Sequence, residues 1–320
     1  MKKLYVPIII FSIFLLFIAC GNTTSKVQLV QGENQIDVMI NGKLFTSYKY
    51  DAANLTKPVL FPVISPSGIE VNRSFPFKEV EGESKDHPHH TGIFFTYDEV
   101  NDNGFWNNTT FPPQIKHAET TKMTNGDTGM LSVVMNWVDK NEKPVLKEER
   151  TMVFIPGQNS TSIDFDITLT ALDEKVVFKD TKEGMFAIRV AHWLKEKGNE
   201  NSKYRSSNGD ETAKNVWGKR SKWVTLEGKN DSKIIGIAIL NHPESTNYPT
   251  YWHARDYGLF AANPLGQSVF QKGRGEEEPK VLNLILEPGK SALFKFRVII
   301  YEGQMTDEQL EKDFTAYSGL

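Results

Sequence analysis

The chain has 320 residues, 39% of them hydrophobic and 24% charged, and 37 Lys and Arg against 40 Asp and Glu leave a net charge of −3. That balance fits a soluble globular body of one large or two small domains and leaves no basic excess for nucleic acid. A single cysteine excludes a disulfide within the chain, so burial must hold the core together.

Lys2 and Lys3 precede a nearly unbroken apolar run over residues 4–19, which stops at Ala19-Cys20-Gly21-Asn22. A basic start followed by an apolar core reads as a targeting segment over 1–20. Leu16-Phe17-Ile18-Ala19-Cys20 resembles a bacterial lipobox. That resemblance implies lipidation of Cys20 and a chain anchored to the bacterial cell envelope, on its periplasmic or cell-surface side. The competing reading is an uncleaved membrane anchor, and both leave the remaining residues outside the cytoplasm. Residues 21–26 read as a short tether, and 27–320 as a single domain without linker or repeat.

Period-two alternation dominates that domain. Strands are predicted over 130–137, 151–155, 162–170, 234–239, 281–286 and 292–300. Ile163, Phe165, Ile167 and Leu169 share one face of their strand. Ala292, Phe294, Phe296, Val298 and Ile300 share another, with Lys295 and Arg297 opposite. Turn signals at Asn41-Gly42, Pro156-Gly157, Asn208-Gly209 and Pro288-Gly289 separate the strands. Alternation means one dry and one wet face, as in antiparallel sheets, and so many strands predict a large β-sandwich. One helix closes the chain: Thr306 and Gln309 have capping-box spacing, and Leu310, Phe314 and Tyr317 would face the sheet.

Three segments alternate poorly and carry the polar and aromatic groups: 86–106, 192–220 and 241–264. They are expected to cross an end or a concave face of the sandwich, where sites usually lie. The first holds three of the seven histidines, in Asp86-His87-Pro88-His89-His90, and ends at Trp106. In a strand His87 and His89 would share a side, with His90 opposite. Two such imidazoles could ligate zinc or copper with a third ligand from elsewhere, or hydrogen-bond sugar hydroxyls with one acting as acid or base. The bland reading is support of the loop. The second segment offers His192, Trp193, Trp217, Lys219 and Arg220. Flat indoles stack on sugar C–H faces and the cations bind hydroxyl or carboxylate groups, unless these are ordinary core aromatics beside solvated charges. The third offers Tyr251-Trp252-His253-Ala254-Arg255-Asp256-Tyr257, in which Arg255 could bind an anion or form a structural pair with Asp256. No phosphate loop, zincin motif, serine elbow or cysteine nucleophile occurs.

Together Asp86-His87-Pro88-His89-His90-x-Gly92, Trp217-Gly218-Lys219-Arg220 and the run from Tyr251 through Asn263-Pro264 resemble the bacterial family DUF6807, also labelled methane oxygenase PmoA-like. Pro66-Ser67-Gly68-x-x-Val71-x-Arg73 and Gly236-Ile237-Ala238-Ile239 fit it too. The oxygenase label does not suit a chain with one apolar run of spanning length. What the resemblance implies is an extracytoplasmic β-rich protein with a galactose mutarotase-like sandwich, a scaffold whose enzymes commonly act on sugars.

The leading expectation is a carbohydrate-active enzyme, an epimerase, lyase or hydrolase, without a cofactor, acting on a carbohydrate or sugar acid. His87, His89, His253, Asp86 and Asp256 are the candidate acid–base groups. Arg73, His90, Trp106, His192, Trp193, Trp217, Lys219, Arg220, Trp252 and Arg255 are the candidate substrate contacts. The alternatives are a copper or zinc site on His87, His89 and His253, and a non-catalytic glycan-binding lipoprotein tethered at Cys20.

Overall fold

The computed structural model describes residues 26–53, 55–108 and 111–320; Cys20 and the targeting segment lie outside the described residues. Two eight-stranded sheets form the body, and every strand pair in them is antiparallel. The first sheet runs β1 (Val27–Gln31), β2 (Gln35–Ile40), β3 (Lys43–Lys49), β4 (Val59–Val63), β5 (Ile93–Tyr97), β11 (Gly184–Arg189), β16 (Leu259–Asn263), β15 (Tyr251–Ala254). The second runs β12 (Lys203–Ser206), β13 (Trp223–Asn230), β14 (Lys233–Asn241), β18 (Ser291–Glu302), β9 (Ser160–Ala171), β8 (Pro144–Pro156), β7 (Gly129–Val138), β6 (Gln114–Thr124). A two-stranded ribbon pairs β10 (Val176–Phe178) with β17 (Leu284–Leu286).

The alternating patterns become the inner faces. Ile163, Phe165, Ile167 and Leu169 of β9 meet Phe294, Phe296, Val298 and Ile300 of β18 in one core, with Phe95, Phe186, Trp252 and Phe260 arriving from the first sheet. Asn41-Gly42 makes the β2–β3 hairpin with both φ values positive, 50° and 77°, the conformation of a two-residue hairpin turn that asparagine and glycine tolerate best. The C-terminal helix α3 (Asp307–Ser318) begins with the expected capping box at Thr306 and Gln309. Its Leu310 and Phe314 cover Ala238, Leu240, Ile299 and Tyr301, so β14 and the end of β18 are dry on both faces.

Two expectations change. The strand predicted over 281–286 shrinks to Leu284–Leu286, because its partner β10 is only three residues long, and Val281 is 67% exposed. Two short helices were not foreseen, α1 (Ala213–Val216) and α2 (Gln267–Gly273), each too short for a helical hydrophobic period to show.

Candidate functional site

The strand register draws a row of residues across the outer face of the first sheet. Val59 lies opposite Phe94, Phe94 opposite Ala187, Ala187 opposite Ala261, and Ala261 opposite His253. Directly paired residues share a face. Val59, Phe94, Ala187 and Ala261 accordingly pack with Phe61, Trp106 and Leu259 in a cluster of their own, apart from the main core. One row along, Arg189 stands opposite Leu259, whose carbonyl accepts from the Arg255 N–H. Two residues ahead of Val59, Lys57 brings its ammonium to 5.3 Å from the Phe94 ring centre.

Residues 84–91 fold over this face as a turn rather than the strand expected for His87–His90. The His90 N–H donates to the His87 carbonyl, and His87 sits at φ 45°. Buried Arg73 holds the turn. Its Nη1 donates to the carbonyls of Ser84 (3.1 Å) and Asp86 (2.6 Å), and its Nη2 to those of His87 (2.8 Å) and His90 (2.9 Å). Asp86 Oδ1 bridges Arg73 Nη1 at 3.1 Å and Arg189 Nη2 at 2.7 Å, while its Oδ2 lies 3.0 Å from His87 Nδ1. Burial raises the Asp86 pKa, but the Ser84 hydroxyl, Arg189 and His87 outweigh it and hold the carboxyl down at about 2.

This turn stacks the imidazoles that an extended strand would have split. His87 lies parallel to Tyr257 at 5.4 Å and to His90 at 5.0 Å, each within 5°. His90 meets His89 at 4.3 Å and Trp106 at 5.3 Å, edge to face. Burial, and then the neighbouring cations and histidines, push His89 down to about 3 and His90 well below the ordinary imidazole value. Both are therefore neutral at physiological pH. Arg73 Nε, His89 Nε2, both ring nitrogens of His90, Trp106 Nε1 and Arg189 Nη1 are buried without a hydrogen-bond partner among the described residues. Buried polar atoms are normally paired, so their gathering in one place marks a site.

Beside it opens a cavity of about 370 Å³, walled by Leu55, Val59, Phe75, Pro76, Pro88 and Phe111, into which Lys57, His89, Thr91 and Asn108 bring polar groups. Lys57 is 3% exposed, and no described residue accepts a hydrogen bond from its ammonium. Burial, only partly opposed by the charge of Asp98, lowers its pKa to about 7.

The other candidate residues are placed as follows. His253 stands on the same face, but four strand spacings from Val59, about 19 Å. Its Nδ1 is 2.9 Å from the Lys182 carbonyl, and its ring is packed by Trp217 and Phe270. Burial first, then Lys182 and Arg255, lowers its pKa to about 3. Arg255 lies over the Tyr257 ring at 5.6 Å, which links it to the His87 stack. Arg255, Asp256 and Trp217 also line a separate groove of about 530 Å³. His192 borders a small recess with Arg73, Arg189 and Tyr257. Trp193 donates to the Glu70 carbonyl, and Trp252 is in the main core with its Nε1 on the Ser221 carbonyl. Lys219 pairs with Asp210. Arg220 donates to the carbonyls of Pro249 and Asn247 and covers the Tyr251 ring.

The structure thus brings together Arg73, Asp86, His87, His89, His90 and Trp106, with Arg255 at one edge. It does not bring His253, Trp193, Trp252, Lys219 or Arg220 to the same cavity. Among the described residues no group of three His, Cys, Asp or Glu side chains is arranged to hold a metal ion. Lys57, Arg189 and Tyr257 were missed as site residues. The available signal was a charge embedded in an apolar strand: Lys57 ahead of Val59-Leu60-Phe61, and Arg189 ending Met185-Phe186-Ala187-Ile188.

Fold and site define a class: an antiparallel two-sheet sandwich carrying a histidine- and arginine-rich site on the outer face of one sheet. The chain belongs to a family of unknown function, DUF6807, whose model matches residues 35–315. No curated protein matches the sequence. Among solved structures, it is similar to a galactose mutarotase-like protein from Lactobacillus casei, over 86% of this chain and 100% of that one, at 9% identity and a TM-score of 0.39. It is also similar to the GH36 alpha-galactosidase AgaA from Geobacillus stearothermophilus, over 88% of this chain, at 9% identity and a TM-score of 0.36. The alpha-galactosidase from Lactobacillus brevis matches over 92% of this chain, at 10% identity and a TM-score of 0.37. The chain spans 41% and 42% of the length of those two galactosidases.

Proposed function

We propose that this protein is an extracytoplasmic, envelope-anchored enzyme acting on a sugar or sugar acid in the cavity between Lys57 and His89. The observation that carries the proposal is a neutral imidazole with an unpartnered buried nitrogen and an amine that no described residue accepts from, both lining one cavity of ligand size with apolar walls. A pyranose offers both surfaces such a cavity needs: C–H faces for Phe75 and Phe111, and hydroxyls for His89, Thr91 and Asn108. Arg73, Asp86 and Arg189 act behind the cavity by fixing the turn that presents His89.

Among the three reaction types, proton transfer at carbon, as in an epimerase or lyase, suits the groups best. Hydrolysis by two carboxylates needs one of them protonated near neutral pH. Asp86 is held ionised by its partners, and Asp256 stands at the other groove. Calorimetric titration and turnover assays with uronic acids, keto-sugars and oligosaccharides test the reading. His89→Asn is expected to lose turnover at least about a hundredfold, the usual size of a general acid–base contribution. An undiminished rate in that variant removes His89 from the mechanism. The envelope location is tested by radiolabelled palmitate incorporation during bacterial expression, with Cys20→Ser expected to abolish the label.

Non-catalytic glycan binding is a second reading, favoured by the groove at Trp217 and Arg255. Sugar binding that survives His89→Asn and is lost in Trp217→Ala, with no turnover in either protein, would select it.

A further inference from the structure

We propose that Lys57 is a nucleophile whose amine forms an imine with the carbonyl carbon of an open-chain aldose or keto-sugar held beside His89. The inference rests on the reading of the Lys57–His89 cavity as a sugar site and names the substrate group that the cavity takes. The surroundings of Lys57 differ from those of partly buried lysines elsewhere in the protein. Lys182 pairs with Glu183, Lys219 with Asp210 and Lys222 with Glu311. Lys57 is 3% exposed, lines the cavity and has no acceptor among the described residues. A buried lysine with a structural task normally has a carboxylate or carbonyl partner. An amine kept for covalent chemistry is left free and desolvated, which keeps much of it neutral and nucleophilic near pH 7.

The step balances without a further reactant. The amine lone pair attacks the carbonyl carbon, the C=O π pair moves to oxygen, and the proton shed by nitrogen moves to that oxygen to give a carbinolamine. Its C–O bond then breaks. The departing hydroxide takes a proton from the N–H of the His89 imidazole, and the remaining N–H proton of the carbinolamine returns to that ring. The net change is amine plus carbonyl to imine plus water. Once protonated, the imine accepts the electron pair left when His89 removes a proton from the neighbouring carbon. Return of a proton from His89 to the enamine carbon, followed by addition of water across the protonated imine, releases a sugar whose proton at that carbon has exchanged with solvent and restores Lys57.

The test is reductive trapping. The full chain, purified in detergent, is incubated with dihydroxyacetone or D-fructose and sodium cyanoborohydride, and labelling of each lysine is followed by peptide mass spectrometry. Lys57 is expected to label more than about tenfold faster at pH 7 than the exposed Lys85, which pairs with Glu79. The Lys57 rate should rise through pH 7 rather than near pH 10. His89→Asn should slow Lys57 labelling and leave Lys85 unaffected. Labelling of Lys57 no faster than Lys85 in wild type overturns the proposal and needs no variant to fold. Slow labelling in a protein that still binds hexoses ends the imine and keeps the sugar site. Fast labelling in a protein that binds no hexose keeps the nucleophile and ends the sugar reading.

Discussion

At position 57 the physics of a single buried charge has consequences for both stability and chemistry. The unfolded chain holds the Lys57 proton up to about pH 10.5, whereas the folded protein releases it near 7. Between those values the unfolded state binds more protons, so stability rises with pH across the window, and the full cost of the buried charge applies below pH 7. Lys57→Met removes that cost. The variant should be more stable than wild type below pH 7, by at most about 5 kcal/mol, with the gap closing toward pH 10.5. Urea denaturation at pH 6, 8 and 9.5 reads it, and a gap that does not change with pH refutes the explanation. The buried histidines act in the acid range. His89 and His253 titrate near 6.5 when unfolded and near 3 when folded, so stability is lost as pH falls through that interval. Each contributes a slope of about 1.4 kcal/mol per pH unit. His253→Gln should lower the slope by one proton, measurable as a flatter dependence of Tm on pH between 4 and 6.

Secondary elements meet at places where a single atom decides the fit. Gly92 joins the histidine turn to β5 at φ +56°, and a Cβ added there would lie 2.1 Å from the Leu60 carbonyl oxygen. Gly92→Ala should therefore cost more than about 2 kcal/mol and displace the turn that carries His89. The measurable pair is a lowered urea midpoint together with weakened sugar binding. The C-terminal helix offers a contrast in which stability changes without the site. Leu310 is wholly buried against the second sheet, on the far side of the sandwich from His89. Leu310→Ala should cost about 2–4 kcal/mol, and Thr306→Ala, which removes the cap, about 1 kcal/mol. Both should leave sugar affinity at its wild-type value.

Across the whole molecule the two sheets enclose an ion pair in an otherwise apolar layer. Glu148 and Arg150 lie two residues apart on the inner face of β8, with Arg150 Nε donating to Glu148 Oε1 at 2.8 Å and Trp137 Nε1 donating to Oε2 at 2.8 Å. Neither side chain is more than 3% exposed. Breaking the pair strands a charge, so Arg150→Ala should cost about 3–5 kcal/mol, and the double change Glu148→Gln with Arg150→Met much less. Chemical denaturation of the three proteins measures the difference. Equal losses would show that the charges act separately.

Alternation alone determined the two-sheet body, because a period of two allows only one face of an antiparallel strand to be dry. The residues of β7, β9 and β18, the Asn41-Gly42 turn and the capped final helix were legible for that reason. The concentration of chemistry around residues 86–90 was legible too, since three imidazoles in four positions are costly to bury without purpose. What the sequence could not say was which distant groups join them. Strand order places Arg189 and Tyr257 beside the histidine turn and sets His253 about 19 Å across the sheet from Val59. Lys57, 30 residues before His87 in the chain, becomes a cavity wall only because β4 pairs with β5 and the turn between them folds back over it. Local pattern dictates which residues are dry; the pairing of strands far apart in sequence decides which of the dry polar groups meet.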